Sequence, residues 1–156
     1  LWADTLLNLE QGHLLRLGIW AAASVAVGAL LLLLLRKHVA IFVRHFAVQL
    51  VGWGVVDGAL VAWGWNDLAL RDYASATQLQ NFLWLNVGLD AGYIGVGITL
   101  ATAAWLMGKR LGGLGAGVGV VVQGAALLVL DLRLLILMDA ARVALEPARS
   151  GVWLSA

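Results

Sequence analysis

Four stretches of the chain stay apolar long enough to cross a bilayer, and polar residues gather between them. A membrane helix needs about 20 mainly apolar residues to traverse about 30 Å of hydrocarbon. The stretches at about 17–35, 39–65, 82–107 and 111–138 meet that length. The first closes on the leucine run Leu30 to Leu35 and is stopped by Arg36, Lys37 and His38. The second exceeds the minimum, so it tilts or opens as an interfacial turn carrying Arg44 and His45. Asn66 to Asn81 makes a polar connection with Asp67, Arg71, Asp72, Ser75 and Thr77, whereas Gly108, Lys109 and Arg110 make a tight return. A polar tail holding the only proline, Pro147, follows the fourth stretch. Short connections place sequential helices side by side, which predicts an all-α, integral membrane, antiparallel four-helix bundle forming one membrane domain over residues 1–156.

Composition narrows the surroundings. The 156 residues are 62% hydrophobic and 12% charged, whereas soluble domains are roughly half apolar and about a quarter charged. The expected partner is therefore the lipid bilayer. A net charge of +1 offers no basic excess for phosphates, so nucleic acid is not an expected partner. With no cysteine there is no disulfide, thiol nucleophile or thiolate metal site. A cleaved leader fits the first span poorly, because Asp4 and Glu10 precede it and a basic stop follows it. Five basic residues lie on each side of the bundle. Those in the short first and third loops favour a cytoplasmic position for these loops, with both termini outside. All nine acids lie toward the termini and the second loop.

Three of those acids reach one depth. At about 1.5 Å per residue, Asp57 lies about 12 Å below Trp65, Asp90 about 12 Å below Phe82, and Asp131 about 10 Å from the end of the fourth span. Asn86 stands one turn from Asp90, Tyr93 three residues on, and Trp53 stands one turn from Asp57 with an indole N–H to donate. Intramembrane ionisable groups cost several kcal/mol unless paired, hydrated or neutral. Like charges so close call for a cation among them or a proton on at least one. An oxygen-only set of Asp57, Asn86, Asp90, Tyr93 and Asp131 suits a hard cation, a proton or an organic amine, and leaves any metal unspecified. The alternative use of the same side chains is interhelical hydrogen bonding, worth about 0.6 kcal/mol each. Arg133 is two residues from Asp131, about 200° around the helix, so it faces away. Gln49 and Gln123 share a second depth and form an expected bond between the second and fourth helices.

Small residues recur at Gly54 and Gly58, Gly88 and Gly92, Gly113 and Gly117, and Gly115 and Gly119, a spacing that permits close helix approach within the bundle or between copies. The segment from Val55 to Gly64 shares an Asp and a Gly seven residues later with that from Gly88 to Gly97, which would set Asp57 and Asp90 face to face as an inverted pair. Trp2, Trp63, Trp65, Trp84 and Trp153 collect near one boundary and Trp105 marks the other, an aromatic belt. His38 and His45 are about 10 Å apart along a helix, too far to share a metal, and His13 belongs to the opposite side. No serine has His and Asp placed to activate it and no phosphate-binding loop occurs, so neither an enzyme nor a cofactor is expected.

The strings from Gln49 to Asp57, from Asn86 to Tyr93 and from Val122 to Asp131 resemble an uncharacterised bacterial family of small four-helix membrane proteins, a domain of unknown function. The resemblance covers about Gly18 to Met138. It implies the fold and an inner-membrane location, and it supplies no activity. The expectation for function is an intramembrane acidic site that binds or translocates a cation, proton or small polar solute, in a homo-oligomer or larger membrane complex. The alternative is an accessory or scaffold subunit whose polar residues fix helix packing.

Overall fold

The computed structural model describes residues 2–34 and 41–150, with side chains through 144. Four helices make up the bundle: α1 (Trp2–Leu34), α2 (Ile41–Asn66), α3 (Tyr73–Leu106) and α4 (Leu111–Ser150), with no strand among the described residues. Each contains a segment long and apolar enough to cross a membrane. Large apolar side chains such as Leu33, Leu85, Val129 and Ile136 point outward along the bundle. The end of the first span at Leu35, the stop at Arg36, Lys37 and His38, the start of the second at Val39, and Trp153 lie outside the described residues.

Three helix ends differ from the hydropathy reading. α1 begins at Trp2 rather than near 17, α3 at Tyr73 rather than 82, and the α4 backbone stays helical through Pro147 to Ser150 rather than ending at 138. The polar connection from Asn66 to Asn81 shrinks accordingly to 67–72. A helix ends where its backbone groups lose partners, not where its side chains turn polar. Asp72 illustrates the rule: its carboxylate accepts the Ser75 backbone N–H at 2.8 Å and the Ser75 hydroxyl at 2.6 Å, which caps α3 nine residues before the apolar run. These bonds from Ser75 hold the Asp72 carboxyl below its ordinary value.

At 33, 34 and 40 residues, α1, α3 and α4 are roughly 50 to 60 Å long, close to twice the hydrocarbon thickness. Their extra length forms a three-helix extension with its own core of Leu6, Ala76, Leu83, Leu134, Leu135 and Met138. Trp2 packs against that core and so leaves the expected belt, whereas Trp63, Trp65, Trp84 and Trp105 remain exposed on the bundle's flanks.

Glycines set the register. Added Cβ atoms would meet Ala47 O at 2.8 Å from Gly28 and Ala21 O at 2.9 Å from Gly54, so α1 and α2 cross antiparallel with reciprocal contacts. A Cβ on Gly97 would lie 2.7 Å from Gly117 O, and one on Gly117 would lie 2.6 Å from Gly97 O, which fixes α3 antiparallel to α4. Gly115 and Gly119 press on Phe42 and Gln49, so α2 and α4 run parallel. Positive φ at Gly108 and Lys109 (93° and 56°) makes the sharp α3 to α4 return, and the Lys109 ammonium lies 5.0 Å from the Trp105 ring centre.

The molecule is thus two hairpins, α1 with α2 and α3 with α4, joined through α4, which packs on the other three helices. The expectation that all sequential helices lie side by side fails at one place: α2 and α3 are not packing partners along their length. Gly58, Gly88 and Gly92 have open space where a neighbour would sit.

Candidate functional site

Buried positions on α3 recur every seven residues, at Ala76, Leu83, Asp90, Gly97 and Ala104, so Asp90 occupies the inward stripe by periodicity alone. Asp57 continues the stripe of Ala47, Leu50 and Gly54 on α2. On α1 the stripe of Leu17, Ala21, Ser24 and Gly28 extends back through His13 and Glu10 to Leu6. Asp131 faces inward from α4, and Arg133 is exposed, as their angular separation predicts.

Between α2 and α3 lies an open-sided cavity of about 620 Å³, lined by Asp57, Asp90, Asp131, Asn86, Trp53 and Tyr93 among others. All six primary site residues expected from sequence therefore line one space. Asp57 and Asp90 face it from opposite walls, close enough to repel each other, and Asp90 also repels Asp131. Their hydrogen bonding differs from expectation. Trp53 does not donate to Asp57: its ring meets Tyr93 edge-on, with centroids 4.8 Å apart and planes at 68°, and the two close the cavity floor across the gap between α2 and α3. Asn86 stands beside Asp131 and makes no hydrogen bond to Asp90. Both oxygens of Asp57 and the Oδ2 of Asp90 are buried with no hydrogen-bond partner.

Asp131 is better served, because His13 Nε2 lies 3.4 Å from its Oδ1. The hydropathy reading missed His13, because it started the first helix too late to bring residue 13 inside the bundle. Glu10 was missed for the same reason, and with it the partner of Arg71. At the rim, buried Glu10 accepts from Arg71 Nε at 2.7 Å, and Arg71 also reaches Asp67 at 3.4 Å, so one guanidinium ties α1 to the 67–72 loop above the cavity. The Glu10 hydrogen bond is the chief reason that Arg71 is held above its already high ordinary value.

The expected bond between Gln49 and Gln123 does not form. Gln123 accepts the Trp20 indole N–H at 2.7 Å and donates to Ser24 Oγ at 3.1 Å, so both ends of its amide are committed to α1. Gln49 instead lies over Gly119, with its Cβ 2.7 Å from where a glycine Cβ would stand. Gln123 is thus satisfied, and neither glutamine is in the cavity lining.

Among the described residues no three of His, Cys, Asp and Glu come together as metal ligands. The geometry instead offers two buried carboxylates with unmet demand, facing across an aromatic floor, beneath a rim held by one arginine. Comparison with curated proteins and with solved structures finds no match. Residues 16–132, three helix-rich quarters of the chain that include Asp57, Asn86, Asp90 and Asp131 and leave out Glu10 and His13, match one family over their whole extent, and the chain belongs to it: the family of unknown function DUF6992.

Proposed function

We propose that this protein is a small polytopic membrane protein that binds, and in an assembly translocates, a positively charged solute in the acidic cavity between α2 and α3. The supporting observation is that Asp57 is wholly buried with both oxygens unpartnered while it lines that cavity. An uncompensated buried carboxylate costs several kcal/mol, so positive charge supplied by an occupant relieves it. A scaffold reading accounts for Gln123, Trp20 and Ser24, whose groups satisfy one another. It gives no reason for carboxylates that satisfy nothing. The open glycines Gly58, Gly88 and Gly92 are where a second copy would approach, and the homo-oligomer is part of the same proposal.

The test is thermal unfolding in nanodiscs across pH and added cations, for wild type and Asp90→Asn. Stabilisation by a cation in wild type, lost in Asp90→Asn, is the expected result. A flat response in both proteins to every cation and to pH would remove the reading.

A further inference from the structure

We infer that the occupant is a primary organic ammonium ion with an apolar body about the size of an aromatic ring, its head held between Asp57 and Asp90. This rests on the cation reading above and narrows it by size, charge and donor count.

Size excludes a bare ion as the only occupant the space is built for. A water molecule takes about 30 Å³ of liquid volume, and organic ligands occupy cavities of about 300 to 1,000 Å³. The space here is about 620 Å³. Its charge is one-sided. The lining holds the carboxylates of Glu10, Asp57, Asp67, Asp90 and Asp131 against Arg71 and His13. Arg71 is already shared by Glu10 and Asp67, and His13 stands at Asp131. No free cation remains in the lining to receive an anionic ligand.

Donor count then selects the head group. The unpartnered buried oxygens of the lining are Asp57 Oδ1, Asp57 Oδ2 and Asp90 Oδ2. A primary ammonium carries three N–H donors, a quaternary ammonium none. Beneath them lie the rings of Trp53 and Tyr93, and an aromatic face attracts an organic cation. Above them the walls become apolar, with Leu60 and Trp63 on α2 opposite Phe82 on α3. A ligand with a charged head and an apolar body fits both zones in one orientation. A soluble amine and an ethanolamine phospholipid carry the same head, and the unpacked gap between α2 and α3 opens the site sideways as well as at the rim.

The test uses protein in phosphatidylcholine nanodiscs, read by thermal unfolding and by calorimetric titration. Probes are 2-phenylethylammonium, its N,N,N-trimethyl analogue, 2-phenylethanol, and the chlorides of sodium, potassium and magnesium. A parallel set of nanodiscs contains phosphatidylethanolamine without added amine. The expected result is saturable stabilisation by 2-phenylethylammonium alone among the soluble probes, with affinity about tenfold or more weaker in Asp90→Asn and in Asp57→Asn. Stabilisation by phosphatidylethanolamine with the same dependence on Asp90 keeps the primary ammonium head, identifies the lipid as its source and overturns the ring-sized apolar body. If sodium, potassium or magnesium matches the amine with that dependence, this inference falls and the cation reading stands. If the trimethyl analogue or the alcohol binds as well as the amine, the primary ammonium head is overturned. If no probe, lipid or pH change moves either protein, both readings fall. Each variant's unliganded melting transition confirms that it is folded, which separates lost binding from lost structure.

Discussion

At Asp57 the side chain works against the fold that buries it. A buried carboxylate with no partner costs at least the 1 to 3 kcal/mol of an unsatisfied polar group, and more when ionised. Asp57→Asn removes the charge at constant shape and ends the repulsion from Asp90 across the cavity. The Asn amide is itself unpartnered there, so only the charge penalty is relieved, and without added ligand this variant should be more stable than wild type by roughly 1 kcal/mol or more at neutral pH, measured by thermal unfolding. An unchanged or lower stability would show that Asp57 is compensated within the chain. Arg71 is the opposite case. Arg71→Ala leaves Glu10 buried with no donor and should destabilise by about 1 to 3 kcal/mol, with Glu10→Gln/Arg71→Ala recovering part of the loss in a double-mutant cycle. The three aspartates were legible in the sequence because depth along a helix follows from counting residues. Their partners were not, because a donor one turn away on the same helix competes with donors on other helices. Trp53 turned to Tyr93, Asn86 to Asp131 and Gln123 to Trp20 and Ser24, and only tertiary packing decides such contests.

Hydropathy reported apolar length well and helix length poorly. α1 begins 15 residues before the first span expected from the sequence, since Leu6, Glu10 and His13 keep the inward spacing while the outward positions turn polar. A search for spacing rather than mean apolarity would have found His13. The Asp72 cap that starts α3 gives a pH prediction with a definite sign. Its folded value lies below the ordinary 3.8, so the contribution is fully present above about pH 4 and is lost as pH falls through the folded value. Asp72→Ala should lower the melting temperature at neutral pH, and the gap to wild type should close as the solution becomes more acidic than about pH 3.8. A gap independent of pH would show that the cap does not act through its charge. Glycines sort by what they face. Gly117→Ala places a Cβ 2.6 Å from backbone atoms of α3 and should cost about 1 to 3 kcal/mol by forcing α3 and α4 apart. Gly88→Ala meets nothing, so in the isolated chain its helix propensity should leave stability unchanged or raise it by up to about 1 kcal/mol. The spacing of four is the same in both places, and only the neighbouring helix distinguishes them.

Two hairpins that meet through α4 leave a wedge between α2 and α3, and the function proposed depends on that wedge holding water or solute while the outer faces meet lipid. Leu127 and Val129 on α4 test this division, because they differ by only about 3 Å in depth and by about 200° around the helix. Leu127 lines the cavity, and Val129 is exposed on another face. The chain has no cysteine, so Leu127→Cys and Val129→Cys each introduce a unique thiol. The thiolate attacks a methanethiosulfonate and displaces its sulfinate, and the thiolate forms in water and is suppressed in apolar surroundings. In nanodiscs, a small cationic methanethiosulfonate reagent should modify Leu127→Cys at least about tenfold faster than Val129→Cys. A saturating primary amine should slow the first reaction and leave the second unchanged. Equal, rapid modification of both would place Val129 in water and overturn the membrane reading. Protection of neither, with both slow, would seal the wedge from solvent, leaving the unpartnered carboxylates open to a ligand only from within the bilayer, where the phosphatidylethanolamine arm of the binding test applies.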